Sequence, residues 1–374
     1  MGNNQFHHWA DEYAQKILEI IPASNSHPIV LNCILNDHMD PVIIRNILTG
    51  DFIYRALKKS IAELTIRFTT QNNFEIISNI IEKLQLPCST VSSVHEEFSN
   101  EFFVINLFFG DMKNPPDFKN CLCMNTSDLA IEETKNTDFM EQFHKIVNIY
   151  EPKIVRWFVA RKKIDDVIYI KFDANVIKNY ERFDHDESVA YGSGKMENDE
   201  RKKIQRIYEL SQNRSEPPAL IPFRPPFQKL CNILQMYDLD ISKAYAYFMH
   251  EIKNDVDKSK FTQRAERALF WVEHHAPKEF NFKINKTPLK PELTKTQAAF
   301  VTRVFNFFKS DSDEIETNEE IYDKILYFSK EQNLAPDEAN RILYLLILGQ
   351  NNGPHLGELF RTLDRNRILQ LLNL

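Results

Sequence analysis

The sequence predicts a mostly α-helical protein with a small α/β part at its N-terminus. After an amphipathic helix over 8–21, the apolar segments of the first 94 residues follow the order strand, helix, strand, helix, strand. This order is typical of a small parallel sheet. From Glu133 onward the strand signal nearly vanishes, while apolar residues continue to recur at helical spacing. The fold class is therefore helical with a reduced sheet at its front.

The element boundaries follow from local patterns. The expected strands are 28–31, 64–70 and 88–94, and the helices between them are 42–60 and 74–84. A strong helix over 151–163 has a proline at its start and three basic residues at its end. The proline-rich segment 215–226 can hardly be helical, so it is expected to be a hinge. The helices expected after it are 227–236, 240–255, 260–276, 295–309, 317–332, 335–348 and 355–371. We expect three domains, at 1–135, 136–214 and 215–374.

Charge and composition restrict the classes of partner. The net charge of −7 creates no global field that would attract a polyanion, so any nucleic-acid site must be a local patch. Five cysteines without framework spacing indicate reduced thiols in a cytosol. The N-terminus does not read as a signal peptide, and the longest apolar runs are too short to span a bilayer. We expect a cytoplasmic protein with no membrane partner.

Three short motifs suggest chemistry but fail on spacing. Gly192-Ser193-Gly194-Lys195 resembles a phosphate-binding loop, but Met196 follows where the motif needs Ser or Thr, so a linker turn is expected. The adjacent histidines at 274 and 275 point to different faces of a helix and cannot chelate one metal. Cys121 and Cys123 form one pair without a second, which is too few for a zinc site. No metal and no cofactor are therefore expected.

Two basic clusters remain as candidate nucleic-acid sites. The first comprises Arg156, Arg161, Lys162 and Lys163, with further basic residues over 201–206. The second runs from 278 to 309, where seven basic residues stand against two acidic ones. Lysines can neutralise phosphates, and the nearby aromatics at 271, 280 and 282 could stack on unpaired bases. Composition alone leaves open whether these aromatics are exposed or belong to a core.

Several short segments, which cover most of the chain in their order and spacing, resemble segments of class I lysyl-tRNA synthetases. The segments are His8–Asp11, Arg45–Lys59, Glu151–Arg161, Arg206–Ser211, Pro222–Arg224, Trp271–Pro277 and Gly349–Gly357. The resemblance implies a reduced Rossmann-like domain, then an all-helical connecting domain, then a C-terminal α-helix-cage domain that binds the anticodon. It also implies tRNA, specifically tRNA-Lys, as the partner.

The two ATP-binding signatures of that family are degenerate here. The first signature, at a helix N-terminus, corresponds here to Asp40, Pro41, Val42 and Ile43. The carboxylate of Asp40 would repel phosphate, and the branched side chain of Val42 replaces the glycine of the signature. The second signature corresponds to 123–128, where Met124 and Ser127 fit but Cys123 and Asp128 replace both lysines. Fewer than ninety residues separate the remnants, too few for the family's amino-acid pocket.

The leading hypothesis is therefore a non-catalytic synthetase-like protein that binds tRNA through its C-terminal helices. One alternative is an active lysine–tRNA ligase or a repurposed adenylating enzyme, which would need ATP and Mg. Another is a regulator that binds a protein of the translation machinery. No catalytic residue is assigned. The candidate tRNA contacts are Arg156, Arg161, Lys162, Lys163, Arg224, Trp271, Lys278, Lys283, Lys286, Lys290 and Arg303.

Overall fold

The computed structural model describes most of the chain. The described residues are 8–36, 38, 40–86, 89–93, 98, 101–109, 119–131, 138–193, 196–213, 219–310 and 317–374. They form two compact units, residues 1–222 and 223–374. Of the sequence motifs, Gly194 and Lys195 lie outside the described residues, as do residues 215–218 of the proline-rich segment.

The first unit contains a five-stranded parallel sheet with the order β3-β2-β1-β4-β5. Its elements are α1 Trp9–Ile20, β1 Ile29–Ile34, α2 Val42–Lys58, β2 Leu64–Thr70, α3 Phe74–Lys83, β3 Ser89–Ser93, β4 Phe103–Phe109 and β5 Cys121–Met124. Strand β1 lies between β2 and β4, and all six of its residues are buried, as is typical of a parallel strand with both faces covered. The sequence correctly predicted β1 to β3 but missed β4 and β5.

The rest of the first unit is helical apart from a two-stranded sheet. It comprises β6 Leu129–Ile131, α4 Phe139–Ile149, α5 Pro152–Ala160, β7 Ile168–Ile170, α6 Asn175–Ala190 and α7 Asn198–Ser211. Strands β6 and β7 pair in parallel. All nine residues of α5 are buried, and Pro152 occupies its first turn, where the missing N–H costs no hydrogen bond. The basic end expected for this helix is not helical: α5 ends at Ala160.

Helix α2 packs unusually close to the sheet at one glycine. A Cβ atom placed on Gly50 would lie 2.6 Å from Cys33 Sγ on β1 and 3.2 Å from the Phe68 ring on β2. A larger residue would therefore push the helix away from the sheet. Gly50 fixes the distance between α2 and β1, and with it the position of the loop that joins them.

The second unit is all-helical over the described residues. Its helices are α8 Phe227–Met236, α9 Ile241–Phe248, α10 Asp255–His274, α11 Lys295–Ser310, α12 Asn318–Glu331, α13 Pro336–Leu348, α14 Leu356–Thr362 and α15 Arg365–Leu372. Three expected boundaries were wrong. The helix expected over 260–276 begins at Asp255. The helix expected over 240–255 ends at Phe248, and the one over 355–371 is two helices, because Asp364 caps α15 by accepting from Asn366 N at 2.9 Å.

The described helices include none that is long and apolar enough to cross a membrane.

Candidate functional site

The strand order places both degenerate signatures at the same edge of the sheet. In a parallel sheet of this order, ligands bind outside the carboxyl ends of the strands where the order reverses, here between β1 and β4. Asp40 and Pro41 precede α2, and Val42 and Ile43 are its first residues. Cys123 and Met124 end β5, which pairs with β4. Ser127 and Asp128 lie in the loop between β5 and β6. What this edge of the sheet can bind therefore depends on its side chains.

At the N-terminus of α2 the chain supplies its own anion. Asp40 Oδ1 accepts a hydrogen bond from the backbone N–H of Val42 at 2.9 Å. The Asp40 carbonyl also accepts from Ile43 N at 3.1 Å. Free N–H groups and the helix dipole make a helix N-terminus an anion site, and here a carboxylate uses one of those donors. A phosphate approaching the same turn would meet a negative charge.

A buried arginine, which the sequence did not single out, binds the backbone of the second signature. Arg45, on α2, is 1% exposed and donates to five backbone carbonyls. Their oxygens lie at 2.8 Å (Ser127), 3.3 Å (Asp128), 2.6 Å (Asp166), 2.7 Å (Lys163) and 2.8 Å (Ile164). Burial lowers the pKa of Arg45, and the neighbouring aspartates oppose that shift. Arg45 thus ties the residues after β5 to the loop after α5.

Polar side chains in the middle of the central strands bond to one another. Asn32 Nδ2 donates to Asn106 Oδ1 at 2.8 Å, joining β1 to β4. The hydroxyl of Thr69, at the end of β2, donates to Asn32 Oδ1, and Asn106 Nδ2 donates to the Lys119 carbonyl at 2.9 Å. The network joins the three central strands β2, β1 and β4 through buried side chains.

Of the four basic candidates in the first unit, one is wrong. Arg156 is 2% exposed, and its guanidinium donates to the carbonyls of Ser211 (2.6 Å from Nε) and Leu84. It closes the end of α7 and cannot reach RNA. Arg161 is half-buried with its guanidinium 4.2 Å from the Trp157 ring centroid. Lys162 and Lys163 are exposed.

In the second unit, four of the candidate lysines are exposed on one anchored segment. Lys278, Lys283, Lys286 and Lys290 lie in residues 275–294, between α10 and α11, which we call the basic segment. Although it lacks helix or strand, its backbone is held firmly. Three anchors hold it: Phe282 N donates to Gln235 Oε1 at 2.8 Å, Asn285 N donates to the Ile347 carbonyl at 2.8 Å, and Arg367 Nη1 donates to the Lys286 carbonyl at 3.0 Å.

The aromatic and arginine candidates of this unit differ from the lysines. Trp271 is fully buried against Phe227 and Phe280, with ring centroids 5.9 and 5.1 Å away, so the expectation that it stacks on a base is wrong. Arg303 is exposed but pairs with Glu331 at 3.0 Å, which offsets its charge. Arg224 is half-buried.

A cavity of about 250 Å³ adjoins the basic segment. Its apolar lining comes from Pro291 and Leu293 and from Ile342 and Leu345 of α13. The polar residues that line it are Glu292, Gln297, Glu338, Arg341 and Asn351. Glu338 Oε1 accepts from Gln297 Nε2 at 2.7 Å, which holds the carboxylate in place. Apolar walls with polar edges suit an unpaired nucleobase. The sequence signal for this cavity was the α13 stripe at 338, 341, 342 and 345, which helical spacing places on one face.

Within the described residues, no group of three or more His, Cys, Asp or Glu side chains could hold a metal ion. Cys121 and Cys123 lie on the edge strand β5, where burial and the neighbouring Cys123 raise the pKa of Cys121 to about 11. Its thiol is therefore protonated at neutral pH and a poor metal ligand or nucleophile.

The parallel sheet, its strand order and the helical units define a Rossmann-like domain combined with helical parts. No family model matches the sequence. The chain is nevertheless related to class I lysyl-tRNA synthetases through similarity to curated proteins named lysine–tRNA ligase.

Three of these relatives illustrate the extent of the similarity. The Treponema pallidum protein is 28% identical over 235 residues, which are 61% of this chain and 43% of the relative. The Borreliella burgdorferi protein is 27% identical over 223 residues, or 59% of this chain and 42% of the relative. The Pyrococcus furiosus protein is 26% identical over 236 residues, covering 61% and 44% respectively. Each match thus spans less than half of the relative.

Proposed function

We propose that this chain is a non-catalytic, lysyl-tRNA synthetase-like protein that binds tRNA, specifically tRNA-Lys, through its C-terminal helical unit. The observation that carries the binding part is the basic segment: four exposed lysines on a backbone anchored to three helices, beside a cavity with apolar walls. Anchoring lowers the entropy lost when the lysines meet phosphates. The names of the relatives support tRNA as the ligand.

The non-catalytic part rests on the first unit. Asp40 occupies a donor at the N-terminus of α2, where the synthetase signature would hold ATP. Cys123 and Asp128 stand where lysines would stabilise charge on the phosphates, and removing one such group typically costs on the order of 10²–10³ in rate. The Nη1 and Nη2 groups of Arg45 donate to five backbone carbonyls, and the buried guanidinium does not replace the missing lysines. These features support binding without adenylation.

The binding part is tested by filter binding of tRNA-Lys and total tRNA at several salt concentrations. A variant with Lys278, Lys283, Lys286 and Lys290 all changed to Gln removes four charges from the basic segment. If each lysine neutralises one phosphate, the slope of log K against log salt falls in magnitude by about 3. The matched control changes four exposed lysines elsewhere in the same unit: Lys243, Lys258, Lys324 and Lys330.

We expect the control to bind nearly as the unchanged protein does, and tRNA-Lys to bind more tightly than total tRNA. Equal losses in the two variants would show that the net charge of the unit, and not the basic segment, governs binding. The catalytic alternative is tested by ATP–pyrophosphate exchange with lysine, for which we expect no signal above a no-enzyme blank.

A further inference from the structure

A second cleft lies in the first unit, between the end of α5 and one face of α6. We call it the α5–α6 cleft; its volume is about 250 Å³. It is lined by Trp157, Arg161, Glu181, Arg182, His185 and Asp186. The four α6 residues recur at a spacing that places them on one helical face. None of its lining residues belongs to the two degenerate signatures or to the basic segment.

The floor of the cleft holds one guanidinium in a fixed orientation. Arg161 follows the last residue of α5, and its guanidinium carbon lies 4.2 Å from the centroid of the Trp157 ring. Trp157 is itself buried, and its Nε1 donates to Asp186 Oδ2 at 2.9 Å. Because the ring is fixed by packing and by this hydrogen bond, the cation stacked on it is fixed as well.

A second guanidinium faces the same space. Arg182 is exposed on α6. Burial lowers the pKa of Arg161, Asp186 opposes that shift, and repulsion by Arg182 adds to it. The Asp186 carboxylate is directed to Trp157 and to His185 Nδ1, which lies 3.5 Å from its other oxygen. Asp186 attracts Arg161, and the carboxylate of Glu181 also lines the cleft. An anion between the two cations would relieve their repulsion.

We propose that the α5–α6 cleft binds a phosphate group through Arg161 and Arg182, and that this phosphate belongs to the backbone of RNA. Planar guanidinium groups donate two parallel hydrogen bonds to phosphate oxygens, and a stacked arginine keeps this geometry. The exposed Lys162 and Lys163 follow Arg161 directly, which suits a polyanion passing over the cleft better than one isolated ion.

The choice of RNA as the source of the phosphate rests on the proposed function. The phosphate chemistry itself stands on the two arginines alone. The experiment therefore has two arms, one with RNA and one with inorganic phosphate. Both arms use the full chain and compare Arg182→Gln with Lys178→Gln. Lys178 is an exposed cation one turn earlier on α6 that does not line the cleft.

In the RNA arm, filter binding of tRNA is measured from low to moderate salt. Arg182→Gln is expected to reduce the magnitude of the salt slope by about 1 and to weaken binding about tenfold, to a similar extent for every tRNA sequence. Lys178→Gln is expected to change the slope by much less. Equal changes in the two variants would overturn the assignment of the phosphate to the cleft.

In the phosphate arm, thermal unfolding is followed while inorganic phosphate is added. The melting temperature of the unchanged protein and of Lys178→Gln is expected to rise, and that of Arg182→Gln to rise less. No difference among the three proteins would refute the site. If Arg182→Gln lowers the rise in melting temperature but leaves the salt slope of tRNA binding unchanged, the phosphate does not belong to RNA, and a free phosphate compound is favoured. If no RNA binds at all, the proposed function fails, and this arm alone decides whether the cleft is a phosphate site.

Discussion

A histidine at the start of α1 makes the stability of the first unit dependent on pH. His8 is 3% exposed, and each of its ring nitrogens has one backbone partner. Nε2 lies 2.7 Å from the Ala160 carbonyl, so it must donate, and Nδ1 accepts from Ala10 N at 3.1 Å. Only the neutral ring with its proton on Nε2 satisfies both contacts. Protonation of Nδ1 would set two N–H groups against each other and break the cap of α1.

Burial lowers the pKa of His8 from 6.5 to about 4, while the Ala160 carbonyl opposes the shift. The unfolded chain therefore binds a proton at a higher pH than the folded one. The stabilisation is fully present above pH 6.5 and is lost as the pH falls towards 4. A lowering of this size corresponds to about 3 kcal/mol in the free energy of unfolding. Below about pH 4 this group causes no further loss.

The assay is urea unfolding between pH 7.5 and pH 4, with the His8→Asn variant as the control. Asparagine keeps an acceptor for Ala10 N but does not titrate. The other titrating groups are common to both proteins, so the difference in unfolding free energy reports on His8. We expect the unchanged protein to lose about 3 kcal/mol relative to the variant across this window. Parallel pH profiles would refute the neutral, buried role of the ring.

Three further substitutions test the first unit by urea unfolding. Arg45→Met leaves the Ser127 and Asp166 carbonyls without their donor and should cost about 3–5 kcal/mol; a loss under about 1 kcal/mol would contradict the anchoring role. Gly50→Ala should cost about 1–3 kcal/mol because its Cβ meets Cys33 Sγ at 2.6 Å. Adding Cys33→Ala should make that cost smaller, and a purely additive double mutant would speak against the close contact. Asp40→Ala should cost about 1 kcal/mol by removing the acceptor of Val42 N–H, and no loss would mean that the cap is not formed in solution.

The elements that the sequence predicted well are those with a strong local signal. Strand β2 was expected over 64–70 and observed as Leu64–Thr70, and α8 was expected over 227–236 and observed as Phe227–Met236. Alternating or helical spacing of apolar residues is enough to identify such segments. Strand β5 has four residues and lies at an edge, and its strand character depends on pairing with distant β4. A local pattern carries little information about such pairing.

Among the site residues, too, the sequence predicted some positions well and others wrongly. The exposed lysines of the basic segment follow from charge patterning, because a lysine is rarely buried. Arg156 and Trp271 belonged to the same patterns but are buried. An arginine that closes a helix end by binding carbonyls has the same local sequence as one on the surface, as Arg156 shows. The opposing arginines of the α5–α6 cleft come together only through the packing of α5 and α6.

The most direct test of the proposed function measures tRNA binding and lysine-dependent ATP–pyrophosphate exchange on one preparation of the full chain. We predict saturable binding of tRNA-Lys at moderate salt, binding that weakens as salt rises, and no exchange above the blank. Exchange that depends on lysine would contradict the reading of Asp40, Cys123 and Asp128 as a lost ATP site. Absence of tRNA binding even at low salt would contradict the role proposed for the basic segment.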